Sequence, residues 1–448
     1  MGIDRRDFLK GTSVALLGAA ARPNLWAGLP RADLRLEIAP LKLEIAPGKT
    51  IHTIAYNGRI PGPLIRWPEG KPITIDVVNH ADVPEIVHWH GLWIPAEEDG
   101  AMEEGSPMIA VGAERRYRFT PRPAGFRWYH THTFAGHDLK RGTYTGQFGC
   151  FFIEPKQSPG AYDQEIFLTL HDWNAYMGGG GDASMDAFYD FATINDRMLG
   201  HGDPVQVREG QRVLFRVLNA SATATHWLAL AGHELTVIGM DGNAVPHPAK
   251  VPAVRLAPAE RIEVLVEMNR PGTWVLGETR EEIRRAGMGI VVEYANQQGE
   301  AKWIDPPETL WDYTLFAKQE GAAAVPDERI PLLFESKFRG HGEFDYWTIN
   351  GKSFPKTETI TLKQGKRYRL TMQNKSNDDH PIHLHRHTFE VTSLDGKLIS
   401  GLRKDVVVVK AKGDAEIDFV AANPGATLLH CHQQSHMDFG FMMLLRYV

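Results

Sequence analysis

Ten of the chain's twenty histidines fall into four tight groups: His88 and His90 in HWH, His130 and His132 in HTH, His380, His383 and His385 in HPIHLH, and His430, His432 and His436 in HCHQQSH. Neutral imidazole is a ligand for copper, zinc, iron and nickel. One His-X-His carries little weight, because two histidines on a strand face are more often surface or core residues than ligands. Four such pairs are a different matter. Side chains alternate along a strand, so His88 and His90 share a face, as do His130 and His132, His383 and His385, and His430 and His432. Eight imidazoles in parallel pairs exceed what a single ion uses and imply a cluster of metals.

The same parity turns Cys431 away from His430 and His432, toward a second site. His380 has opposite parity to His383 and His385, and leaves their face if the strand extends through Pro381; His436 follows in the loop after the last strand. One thiolate and two imidazoles make the His2Cys set of a blue-copper electron-transfer site. Only the backbone from Cys431 to its neighbours then separates the two sites, which makes it a covalent electron path.

The segments HWHG, YHTHTF, HPIHLHRHTF and HCHQQSHMDFGFM resemble, in order and spacing, the four copper-binding segments of the multicopper oxidases, and the chain looks like a three-domain bacterial laccase. NGRIPGPLIR, RVLNAS, GMDGNAV and ANPGATLLHCH extend the likeness over nearly the whole mature chain. The resemblance implies four copper ions. His88 and His383 match the type 2 ligands; His90, His130 and His432 match one type 3 ion, and His132, His385 and His430 the other. His380, Cys431 and His436 match type 1. The family's reaction follows by implication: one-electron oxidation of a small reducing substrate at type 1 copper, coupled to four-electron reduction of O2 to water at the trinuclear cluster.

Two positions depart from the family. Phe441 stands where many members have an axial methionine, which implies a three-coordinate type 1 site of raised potential; Met442, one position late, is the alternative ligand if the loop shifts. Bacterial relatives often have a glutamate directly after the last type 1 histidine, where this chain has Met437 and then Asp438. Asp99, nine positions after His90, matches another family carboxylate, so Asp99 and Asp438 are the candidate proton relays, against the ordinary reading of solvated or capping aspartates. The run containing Glu97, Glu98, Asp99, Glu103 and Glu104 reads as a solvated acidic loop, with the gathering of metal-ion substrates as its functional alternative. Cys150 in GQFGCFFIE reads as a buried free thiol.

Short apolar or alternating runs must carry these residues: PITIDVVN (72–79), RVLFRVLN (212–219), RIEVLVEM (261–268), RYRLTMQN (367–374) and AEIDFVAA (415–422), separated by turn formers such as NGRIPGP and AANPG. A weak repeat pairs an Asn turn (Asn57, Asn195, Asn350) with a following strand that ends in Asn, at intervals of about 140–155 residues. The expectation is an all-β chain of three tandem cupredoxin-like Greek-key β-barrel domains. They cover residues 30–157, 158–304 and 305–448, with type 1 copper in the third, the trinuclear cluster between the first and third, and a ligand-free second domain as spacer or substrate-side wall.

Residues 1–29 read as a signal peptide: Arg5 and Arg6 followed by Phe8, Leu9 and Lys10, then an apolar run too short to span a bilayer. The pattern resembles the bacterial twin-arginine signal, and implies a periplasmic or secreted protein that folds and loads its cofactor before export. A net charge of -6 gives no footprint for nucleic acid, and no later run reads as a membrane helix. Three functions compete: a laccase-like oxidase of phenols or aromatic amines, a metallo-oxidase of Cu(I), Fe(II) or Mn(II), and a copper-free scaffold of the same fold. All eleven ligands are present, which disfavours the scaffold.

Overall fold

The computed structural model describes residues 31–448 apart from 157–159, 179–185, 298, 309 and 319–323, so the twin-arginine segment lies outside the described residues. The chain is all-β, in three cupredoxin-like units, each a pair of packed sheets. In the first unit Leu34–Ala46 runs parallel to Ile73–Asn79, which runs antiparallel to Glu114–Phe119. Gln164–Gly178, Arg212–Asn219 and Arg261–Glu267 repeat that arrangement in the second unit, and Glu328–Lys337, Arg367–Asn374 and Asp414–Val420 in the third. Among the described residues no helix is long and apolar enough to cross a membrane.

The repeated asparagines are what the repeat is built from. Asn57, Asn195 and Asn350 adopt positive φ (53°, 62° and 51°), a conformation asparagine tolerates better than other side-chain-bearing residues. Each Oδ1 accepts a backbone N–H of the neighbouring strand: from Glu37 at 2.6 Å, Thr169 at 3.0 Å and Leu333 at 2.7 Å. The strand-ending Asn79, Asn219 and Asn374 donate across the barrel mouth to the carbonyls of Ile109, Leu256 and Val409. Side-chain amides thus satisfy backbone groups that the ends of the strands leave over.

Those three carbonyls fix one equivalent slot per unit. Ile109, Leu256 and Val409 pair with Glu85, His226 and His380. Two residues on, Val87, Leu228 and Ile382 pair with Thr131, Glu278 and Cys431. The N–H groups of these last three donate to the carbonyls of Gln147, Met288 and Phe441, at 3.0, 3.0 and 3.1 Å. One backbone frame therefore holds a hydroxyl–carboxyl pair in the first unit, an imidazole–carboxylate pair in the second and the His380–Cys431 pair in the third. Pro381 sits inside the strand His380–Leu384, so the parity expected for His380 holds.

In the second unit His226 lies between Asp172 (2.8 Å from Nε2) and Glu278 (3.0 Å from Nδ1). Burial alone would lower its pKa, but the Asp172 and Glu278 carboxylates raise it to about 9. Against the same burial, hydrogen bonds from His226 and Arg280 hold Glu278 at about 2. A histidine whose pKa rises on folding contributes stability that is complete below its unfolded value of about 6.5 and lost as pH climbs through its folded value. His226→Gln is expected to cost ~3–5 kcal/mol near pH 6, the penalty for removing one partner of a buried pair. Calorimetry should show that deficit shrinking by about pH 10, above the folded pKa; an equal deficit at both pH values would contradict a charged His226.

Candidate metal centre

The histidine segments reach the centre from two sheets, one in the first unit and one in the third. Val87–His90 pairs with Gly125–Thr131 and sets His88 opposite His130; His380–Leu384 pairs with Ala426–Cys431 and sets His383 opposite His430. The two sheets meet ring on ring: His88 stacks on His385 at 4.0 Å and His90 on His383 at 3.8 Å. The nitrogens of His132, His385 and His430 gather within 4.8 Å of one another. The rings of His90, His130 and His432 lie 5.2 to 5.7 Å apart, and those of His88 and His383 5.7 Å. Each set named from the sequence is thus brought together.

The donor atoms fit metal ions. The Nε2 atoms of His88, His130, His132 and His383, Nδ1 of His90 and both nitrogens of His432 are buried without a hydrogen-bond partner, and His385 Nε2 faces His430 Nε2 at 3.0 Å. Buried polar atoms normally find partners, so a cluster of orphans marks a place for ions. Burial, with the neighbouring rings, holds His90, His130, His132, His383, His385, His430 and His432 well below the usual imidazole range, and hence in the neutral form that binds metal.

On the opposite face of the last two strands His380 Nδ1, His436 Nδ1 and Cys431 Sγ form a triangle with sides of 3.2, 3.6 and 3.7 Å. Its centre lies roughly 2 Å from all three corners, the length of a metal–ligand bond. Burial pushes the Cys431 thiol up, so a thiolate here depends on a bound cation. The Phe441 ring lies 4.7 Å from the His380 ring and stacks on Trp347. Met442 pairs with His430 and packs against Ala101, Leu428 and Met437. Strand parity therefore turns Met442 away from Cys431, and the alternative axial ligand is not at the type 1 set.

The carboxylates hold the rings. Asp99 Oδ2 lies 2.8 Å from His385 Nδ1 and 3.1 Å from His88 Nδ1, which aims both Nε2 atoms into the cluster. Glu104 lies 3.4 Å from the same His385 nitrogen and accepts the N–H of Leu428. The acidic run is therefore not a solvated loop: Asp99 and Glu104 are buried against ligands, because the short helix Ala96–Asp99 and the turn Met102–Glu104 fold inward. Asp438 has a different neighbourhood. Its oxygens accept from the N–H groups of Ala135 and Gly136 and from Gln434, tying the segment after His436 to the first unit.

Sequence reasoning missed Asp405, Glu104 as a separate contributor, and Trp347. Asp405 receives a two-pronged contact from Arg261 at 2.6 Å on each oxygen, accepts from Arg127 at 3.2 Å, and touches His90 Nε2 at 3.2 Å; its carbonyl holds His383 Nδ1 at 2.7 Å. The only sequence signal is a Lys404–Asp405 pair directly before four valines, an odd place for charge. Trp347 lies against the His436 ring, centroids 4.0 Å apart and planes tilted by 33°. Cys150 is a buried free thiol, and His171, His233 and His387 are hydrogen-bonded away from the centre.

Three family models, each described as multicopper oxidase, match residues 37–158, 164–296 and 329–448. The multicopper oxidase MmcO of Mycobacterium tuberculosis is 29% identical over 442 residues, covering 90% of this chain and 84% of that protein. Two solved structures share the fold. Fet3p, a multicopper oxidase that functions in iron import, aligns over 92% of this chain and 90% of its own with a TM-score of 0.79 at 19% identity. The laccase from Botrytis aclada aligns over 94% and 89% with a TM-score of 0.75 at 21% identity. Matched along all three units, and with every ligand segment of its sequence gathered into one cluster and one triangle, the chain belongs to the multicopper oxidases, copper-dependent oxidoreductases that use O2.

Proposed function

We propose that this oxidase is laccase-like, taking single electrons from phenols or aromatic amines. The aromatic wall around the electron-entry histidines carries that reading. Trp347 covers His436 and lies 4.8 Å from the His380 ring, and Phe344, Phe439 and His137 form a second ring group beside it. A planar aromatic reductant complements such a wall, and Phe441, which offers no donor atom beside the His380–Cys431–His436 set, would raise the potential of a copper held there. Copper, when bound, supplies the one-electron steps and the binding of O2 that no side chain here offers. The chain positions the ligands, excludes bulk water and holds protons near the cluster, where Asp99 touches two ligand rings and is the first candidate relay, with Asp438 the second. Export by the twin-arginine route to the periplasm or beyond belongs to the same proposal.

One observation favours a metal-ion reductant instead. Asp378, two residues before His380, has Asp186 and Asp345 near enough to oppose its ionisation, after the larger effect of burial. A concentration of carboxylates near Asp378, Asp379 included, would suit a cation. Oxygen uptake with a phenol, Fe(II) and Cu(I) separates the readings: the phenol is expected to be oxidised fastest, and a large preference for either metal ion would overturn the laccase-like proposal. Phe441→Met is expected to lower the type 1 potential in a redox titration; an unchanged or higher potential would remove Phe441 from the axial position. Asp99→Asn is expected to slow O2 reduction about 10- to 100-fold while the blue absorbance persists; turnover at the wild-type rate would end its assignment as a relay.

A further inference from the structure

The slot that holds Cys431 in the third unit holds Thr131 in the first, and both sit between two ligand histidines. Thr131 Oγ1 donates to Glu85 Oε2 at 2.9 Å and lies 3.0 Å from Thr133 Oγ1. Thr133 and the ligand His132 line a cavity of about 250 Å3 whose mouth carries the exposed Met102 and Phe134. Glu85 itself is buried, 1% exposed. A buried carboxyl is thus joined through two hydroxyls to a cavity that touches the cluster, and the catalytic geometry described so far does not use it.

We propose that Glu85 is a proton reservoir for O2 reduction, discharging through Thr131 and Thr133 into the cavity beside His132. The inference rests on the family's reaction, in which one O2 takes four electrons and four protons to give two waters. The reservoir supplies one of those protons: it leaves Glu85, each hydroxyl accepts one proton and releases another, and the carboxylate recovers a proton from solvent along the same hydroxyls between turnovers. Either threonine oxygen can act as donor, so the chain conducts in both directions.

The setting suits a group that exchanges protons near neutrality. Burial pushes Glu85 up to about 7, against the lowering pull of the Gln147 amide, the Thr131 hydroxyl and the more distant Arg141. Arg141 is itself engaged by Asp82 at 2.6 Å, and the buried Tyr56 phenol, pushed up by burial and by Glu85, stays neutral. The side chain of Glu85 is held by the threonine that lies between two ligand histidines. In the second unit the same frame holds His226 at the place of Glu85 and Glu278 at the place of Thr131, and hydrogen bonds from His226 and Arg280 hold that carboxylate well below its usual range.

Glu85→Gln keeps the shape and an acceptor for Thr131 but cannot release a proton. Infrared difference spectra of the holoenzyme between about pH 6 and pH 8 are expected to show a titrating carboxylic-acid band that disappears in Glu85→Gln. Copper content and blue absorbance should be unchanged, O2 uptake should fall about tenfold, and the pH profile should lose its inflection near neutrality. Glu85→Asp should restore part of the rate. Thr133→Val, which cuts the route with Glu85 intact, should slow uptake similarly while keeping the infrared band. The proposal is overturned if the band persists in Glu85→Gln, if either variant turns over at the wild-type rate, or if the rate falls only together with copper and colour. Failure of the wild-type protein to consume O2 would instead strike at the family reaction, a separate outcome.

Discussion

The carboxylate of Asp405 is the point on which the three units depend. It is wholly buried, and an isolated carboxylate there would cost several kcal/mol in desolvation. Arg261 from the second unit and Arg127 from the first surround it, and their charges hold it below the usual carboxylate range despite burial. The same group touches His90, while its backbone carbonyl fixes His383. Removing any one of these partners leaves a charge stranded among the others. None of the eleven ligands named from the sequence lies in the second unit, yet it is more than a spacer: through Arg261 it anchors the residue that orients rings from the other two.

Around that junction packing allows little slack. Gly125, at positive φ, lies so close to Gly242 of the second unit that a Cβ would meet its carbonyl oxygen. Phe126, Trp128 and Cys150 of the first unit, Trp173 and Leu218 of the second and Val406 of the third, next to Asp405 in sequence, form one apolar cluster that joins the three units. The ionic and apolar contacts are complementary, because the apolar shell removes the water that would otherwise screen the ion pairs.

Much of this was legible in the chain because a strand has period two. That single rule put four histidine pairs on one face and Cys431 with His380 on the other, and the pairing of Ile382 with Cys431 and of His383 with His430 follows it. The Asn repeat was visible too, although its hydrogen bonds were not. What stayed hidden depends on distant partners. Nothing local distinguishes Glu104, buried against His385, from its exposed neighbour Glu97, since the difference lies in how two short helical turns fold inward. Asp405 finds its partners Arg127 and Arg261, 278 and 144 positions earlier, and Met442 is disqualified by its pairing with His430 rather than by its distance from Cys431 along the chain.

The equivalent slot in each unit separates scaffold from chemistry. A frame of backbone hydrogen bonds that accepts Glu85 with Thr131, His226 with Glu278, or His380 with Cys431 places no chemical demand on its contents beyond mutual satisfaction. Exchanging the pair alters charge, protonation or metal affinity while strand register stays put. One strand register thus carries a hydroxyl–carboxyl pair, an imidazole–carboxylate pair and a thiol–imidazole pair, so the contents of the slot and not its frame set the chemistry of each unit.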